Sequence, residues 1–335
     1  MTRRSVVLAG VILLLVVIFG TMVMKGRKNA TQQKSKVIKF AHVGPEEDAR
    51  QVSALKFEQI VESQTNGEIQ VEVYYGGQLG GDRDAIEGTQ LGTIQMTVAG
   101  AGIFAMFEPT MGITALPFLF DDFEQAWAFN DSELNAEPGK LLLKSGIRIL
   151  AYWDNGFRCL TNSVRPVESP EDLIGMKIRT PENPVILETM RAFGANPSPL
   201  PWPELYMALQ QKAFDGQENP IPTIYVNKLY EVQKYISMTN HVYEPMPVVI
   251  SETLWKTLTG EQQTIVRNAA LECQNHNRNL VKEQTEEMLA KLKDKGMTVS
   301  YPNLQAFREA TVDVRQQFSD KLGSELIEAA YSFRQ

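Results

Sequence analysis

Histidine and cysteine are scarce in this chain: 335 residues include three of the first and two of the second. His42, His241 and His276 are scattered at no metal-ligand spacing, which argues against a metal centre or a histidine-dependent catalytic site. Cys159 and Cys273 stand far apart; a disulfide between them is open outside a cell, but two free thiols are the simpler expectation. The sequence has no Gly-x-Ser-x-Gly elbow, His-Glu-x-x-His, Cys-x-x-Cys or P-loop, and Gly100-Ala101-Gly102 lacks the third glycine of a dinucleotide fingerprint. No cofactor, metal or catalytic residue is therefore expected, and the chain does not read as an enzyme.

Acidic residues are missing from residues 1–36, which carry seven Lys/Arg. Arg3 and Arg4 precede an uncharged run from Val6 to Met24, followed by Lys25, Arg27 and Lys28. A basic stretch before an apolar core is the pattern of an export signal. The run is also long enough to span a membrane, so it is either cleaved or retained as an anchor over residues 5–24. Both outcomes put the body outside the cytoplasm, in the periplasm. Taking those seven from the 33 basic residues leaves 26 against 40 acidic ones, a net charge of −14. So acidic a body is a poor partner for nucleic acid or anionic lipid. If it binds anions, it does so with locally placed arginines.

What is present reads as α/β. Val37–His42 is a strand, Glu47–Gln64 a helix, and Ile69, Val71, Val73 and Tyr75 alternate as a second strand. After the turn Gly76–Gly81, Asp82 is placed to cap a helix holding Ile86 and Leu91, and Ile94–Val98 is a third strand. This alternation implies a parallel sheet whose ligands bind beyond the carboxyl ends of its strands. A second unit begins at the strand Ile147–Trp153, with a short strand at Met176–Arg179, helices at Pro184–Ala192 and Trp202–Lys212, and a strand at Ile236–Thr239. Two lobes are expected. From Glu261 to Lys295 there is neither Gly nor Pro, enough for a helix of roughly 50 Å. Its middle, Gln274–Asn279, is polar on every face, as in a strut bridging two lobes across solvent, the alternative being two helices with a break.

Two arginines in strand contexts are the candidate chemistry. Arg179 ends the apolar strand Met176–Arg179, where a buried guanidinium needs a carboxylate from the protein or from a ligand. Arg158 follows Asn155-Gly156-Phe157 and is either a second anion contact or a surface residue.

The run Leu200-Pro201-Trp202-Pro203-Glu204-Leu205-Tyr206-Met207-Ala208-Leu209-Gln210-Gln211, continuing through Asp215-Gly216-Gln217-Glu218-Asn219-Pro220, resembles the signature of TRAP-transporter solute-binding proteins, the DctP family. Gly77-Gln78-Leu79-Gly80-Gly81, Ala115-Leu116-Pro117-Phe118, Lys177-Ile178-Arg179-Thr180-Pro181 and Tyr230–Tyr235 support it in the right order, from about residue 37 to the carboxyl terminus. The resemblance implies a two-lobed periplasmic-binding-protein-like fold with a hinge and a long helix crossing both lobes. Residues 37–156 with about 245–284 would form lobe I, and 157–244 with about 285–335 lobe II. It implies a small-molecule carboxylate gripped by Arg179, helped by Asn219 and Arg158 and packed on Trp202, where the family usually has Phe. Asn155, Gln217 and His42 complete the expected ligand contacts. The closed form would dock, as a monomer, on the small and large membrane subunits of a sodium-driven carrier.

Residues 151–158 with Phe193-Gly194-Ala195-Asn196-Pro197 look closest to the diketogulonate and hexuronate branch. Sialate-binding members carry an acid where this chain has Gly100, so sialate is disfavoured. A hexuronate-like sugar acid is the expected ligand. The alternatives are a C4-dicarboxylate, a membrane-tethered ligand sensor, or a secreted enzyme acting on a carbohydrate acid.

Overall fold

Alternating apolar residues set the first lobe. In the computed structural model, which describes residues 35–334, β1 (Lys36–Ala41) and β2 (Ile69–Tyr74) run parallel, with Ile38 opposite Val71 and Phe40 opposite Val73. Between them α1 (Ala49–Gln64) is capped by Asp48, whose side chain accepts the Arg50 backbone N–H. α2 (Asp82–Leu91) leads to β3 (Met96–Val98), which lies parallel on the other side of β1. Phe40, Phe57 and Trp153 fill one face of this part of the sheet; Ile86, Phe104 and Leu142 fill the other. The basic and apolar leader lies outside the described residues. Among those that are described, no helix is long and apolar enough to cross a membrane.

The largest departure from the sequence reading is in the strands that join the lobes. β4 (Ile147–Asn162) and β8 (Tyr235–Ser251) are 16 and 17 residues long. They pair antiparallel along their lengths, so both lobes share one nine-stranded sheet in the order β2-β1-β3-β8-β4-β7 (Gly216–Pro220)-β5 (Lys177–Thr180)-β6 (Asn196–Pro199), with β9 (Thr298–Ser300) on β8. The expected strands Ile147–Trp153 and Ile236–Thr239 are both longer, and Asn155-Gly156 and Pro245 lie inside the ladder. Register shifts between Asp154 and Gly156 absorb the first. Pro245 and Pro247 face β4 on a stretch of β8 with no strand on its other side, since β3 reaches only Val248–Ile250 and β9 only Tyr235–Ser237. A missing N–H is harmless there.

The second lobe carries β5 (Lys177–Thr180), β6 (Asn196–Pro199) and β7 (Gly216–Pro220), with α3 (Pro184–Ala192) between β5 and β6. One of its cores packs residues 113–129 with Phe193, Phe307 and Leu322; the other gathers Leu205, Ile224 and Leu292. The helix expected at 202–212 is a 3-10 turn at Trp202–Glu204 followed by Leu205–Gln210. Cys159 and Cys273 are buried free thiols in different cores.

α4 (Gly260–Asp294) is a single 35-residue helix opened by a Thr259/Gln262 capping box. Its polar middle does not bridge solvent, contrary to the sequence reading. Gln274, Asn277 and Arg278 are buried against β4. There Gln274 accepts the Tyr152 N–H at 2.8 Å, Asn277 accepts the Asp154 N–H at 2.6 Å, and Arg278 grips Asp131. β7 pairs only with Arg158–Asn162 of β4, so the edge of β4 away from β8 has no strand partner at Tyr152 and Asp154, and the helix supplies the acceptors.

Candidate functional site

A cleft lies where β4 and β8 pass between the lobes. Lobe I contributes Val43, Arg50, Asp82, Gly100 and Ile103, and the crossing strands contribute Asn155 and Glu244. Lobe II supplies Arg158, Arg179, Trp202, Asn219 and Thr223. The lobes are drawn together, leaving a cavity of about 30 Å³. A β-carbon on Gly102 of lobe I would overlap the Asn183 amide of lobe II, and one on Gly77 would touch Pro203 at 3.4 Å. A larger recess of about 550 Å³ beside Tyr152 and Leu271 gathers less useful charge. There Arg148 is held by Glu252, and Arg267 lies over Trp255.

Three arginines line the cleft, and their partners separate their roles. Arg50 donates from Nε and Nη2 to both oxygens of Asp48 at 2.9 and 2.8 Å. Burial opposes the Arg50 charge, but the Asp48 carboxylate outweighs it and raises the pKa above the usual arginine value. Arg158 is 2% exposed, not a surface residue. It donates from Nε and Nη2 to Glu218 and from Nη1 to Glu244. Burial again works against the charge, and the two glutamates more than offset it.

Arg179 differs. It is equally buried, and its Nε and Nη2 donate to the Leu200 carbonyl at 2.8 and 2.6 Å. Its guanidinium lies over the Trp202 ring, 5.7 Å from the centroid. Among the described residues no carboxylate forms an ion pair with it, and burial lowers its pKa to about 10, with Glu218 offsetting only part of that effect. A buried guanidinium without a carboxylate has the chemistry to take up an anion.

Beside it, Asn219 donates to Gln217 at 2.5 Å, and Gln217 donates to Thr161 at 2.8 Å. Gln217 thus orients Asn219 from behind and does not line the cavity. His42 is likewise buried off the wall, 2.9 Å from Gln51 through Nε2. Burial, aided by Arg50, lowers its pKa to about 4, so it is neutral near pH 7. Asn155 does line the cavity, donating to Glu244 at 2.6 Å and accepting from Thr223 at 2.9 Å.

Sequence reasoning missed the lobe I wall. Gly81, not Asp82, is the N-cap residue of α2, and Asp84 accepts its backbone N–H at 2.8 Å. Asp82 instead faces the cleft with Oδ1 buried and unpartnered, and burial raises its pKa to about 6. Arg50 and Glu244 gave no motif. Their signal was a charged residue inside a strand or at the start of an apolar helix, too common to single out.

The profile of bacterial extracellular solute-binding protein family 7, DctP, matches residues 40–321. The 2,3-diketo-L-gulonate-binding periplasmic protein YiaO of Escherichia coli K12 is 34% identical over 290 residues, 86% of this chain and 85% of that one. The sugar acid binding protein DctPAm of Advenella mimigardefordensis, solved with galactonate, is 30% identical with a TM-score of 0.87, covering 90% of this chain and 98% of that one. A TRAP periplasmic solute binding protein of Shewanella oneidensis, solved with succinate, is 29% identical with the same TM-score, covering 90% of this chain and all of the other. A family match across most of the chain, on a two-lobed frame with an unpaired arginine in its cleft, leads to one conclusion: the chain belongs to the DctP family of extracellular solute-binding proteins of TRAP transporters.

Proposed function

We propose that the protein captures a sugar acid outside the cytoplasm and delivers it to the membrane subunits of a TRAP carrier, without catalysis and as a monomer. The observation that carries this reading is Arg179, the one cleft arginine with no protein carboxylate beside it among the described residues. A ligand carboxylate supplies the missing charge, with Asn219 as a neighbouring donor and Trp202 as an apolar wall. Residues 37–156 with 245–284 and residues 157–244 with 285–335 are assigned as the units that move, the segment 113–129 packing onto the second. The shifted register at Asp154–Gly156 and the paired stretch Glu244–Pro245 are assigned as the hinge. Closure is selective only if the ligand binds the closed form better. The leader, cleaved or retained, places the body outside the cytoplasm.

A C4-dicarboxylate is the second reading, favoured by a third arginine in the cleft and by the succinate-bound relative. Arg50 is already neutralised by Asp48, however, so it offers less to a second carboxylate than Arg179 offers to the first. Thermal shift across galactonate, glucuronate, neutral galactose and succinate tests the reading, because a ligand raises the melting temperature by mass action. Stabilisation by the sugar acids, and none by galactose, is expected. Stabilisation by galactose equal to that by galactonate would refute carboxylate capture.

A further inference from the structure

Two acids, Asp82 and Glu244, line the same cleft as Arg179, and Glu244 stands on the strand that crosses between the lobes. Glu244 is held firmly at its Oε2, which accepts from Asn155 Nδ2 at 2.6 Å and from Arg158 Nη1. Among the described residues, every side-chain hydrogen bond to this carboxylate goes to Oε2. Oε1 lies instead over the backbone of Gly100, so close that a β-carbon at that position would overlap it. The absence of a side chain at Gly100 is what lets the carboxylate of Glu244 stand in the cleft. Asp82, on the same side, presents a buried Oδ1 that has no partner.

The charges around the cavity can be assigned pair by pair. Arg50 is matched by Asp48. Arg158 is matched by Glu218 and also touches Glu244, so that group carries more negative than positive charge. Arg179 is the only cation left over among the described cleft residues, and Glu244 and Asp82 are the acids left over. A cleft lined by one free cation and by carboxylate acceptors fits a molecule with one carboxylate and several hydroxyl donors. A second carboxylate set against Glu244 or Asp82 would meet like charge in a buried site, where such repulsion is strong.

We propose that Glu244, standing over Gly100 and seconded by Asp82, is the specificity residue of the cleft: its free oxygen accepts a ligand hydroxyl and excludes a second carboxylate. The ligand class is then a monoanionic polyhydroxy acid. The proposal rests on the sugar-acid reading given above and adds to it which groups enforce the choice. Asn155 and Arg158 act as positioning residues, since they fix Glu244 without needing to touch the ligand.

The test is calorimetric titration of galactonate and succinate into the wild type, Glu244→Gln and Gly100→Ala. Glutamine keeps an oxygen for Asn155 and removes the charge, whereas alanine keeps the charge and displaces the carboxylate from its position. Wild type is expected to prefer galactonate. Both variants should lose roughly tenfold or more in galactonate affinity, the scale of one hydrogen bond to a charged group. Glu244→Gln should at the same time bind succinate as well as, or better than, wild type. Circular dichroism on each variant separates a folding defect from a change in specificity, and Gly100→Ala leaves the Arg158–Glu218 pair untouched. An equal loss for both ligands, or an unchanged preference, would overturn the role of Glu244 while leaving sugar-acid capture intact. Wild type binding no sugar acid at all would overturn the sugar-acid reading and this inference together.

Discussion

Arg158 and Arg179 reach the same cleft from β4 and β5, the two strands that flank β7. Both are 2% exposed, and nothing in their burial tells them apart. Their partners do. Arg158 is locked to Glu218 and Glu244, whereas Arg179 rests on one carbonyl and an indole face. On the proposed reading the first holds the crossing strands together and the second meets the ligand. Burial alone does not separate the two arginines; the presence or absence of a matching carboxylate does.

The difference is sharpest in stability. Arg158→Ala removes the positive member of a buried group and leaves Glu218, fully buried, without its main partner. A loss of about 3–5 kcal/mol is expected, visible as a lower urea midpoint. Arg179→Ala removes a charge with no protein counter-ion and should leave the ligand-free protein near wild-type stability or above it. Equal destabilisation by the two substitutions would erase the distinction.

How far each arginine could be recognised from sequence follows from the same contrast. Arg179 ends a short apolar strand within a recognisable motif, so local pattern and resemblance both pointed to it. The partners of Arg158 lie 60 and 86 residues away on β7 and β8, and no local signal reports a pairing made by sheet order. The crossing strands were read short for a related reason: Gly156 and Pro245 are breakers by propensity, and only the bulge and the open side of β8 make them tolerable. The buried middle of α4 was misread because its polar residues answer to backbone donors of β4, which a helix pattern cannot reveal.

Closure gives a second contrast, between ligand affinity and fold. Gly102 meets Asn183 across the cleft, and Asn183 is fixed by capping α3. Gly102→Val should add overpacking of about 1–3 kcal/mol to the closed arrangement alone. Affinity should therefore fall roughly tenfold while the melting temperature of the ligand-free protein changes little. Small-angle scattering with ligand would show a more open form than wild type. Unchanged affinity would mean that this contact is not part of the ligand-bound state.

The smallest expected effect concerns Asp82, on the lobe I side of the cleft. Burial raises the Asp82 carboxyl from its ordinary 3.8 to about 6. A raised acid favours the folded state most below its unfolded pKa, and that contribution is lost as pH rises through about 6. Asp82→Asn should then be more stable than wild type by about 1–3 kcal/mol at pH 7, with the gap closing toward pH 4. A gap that does not vary between pH 4 and 7 would place Asp82 in an ordinary solvated setting.

Calorimetric titration of galactonate into wild type and Arg179→Ala, at a pH where both are folded, tests carboxylate capture most directly. Truncating the buried partner of a ligand carboxylate should cost about 2–5 kcal/mol of binding free energy, with the ligand-free melting temperature preserved. A loss below tenfold in an intact Arg179→Ala protein would contradict the assignment of Arg179 as the carboxylate anchor.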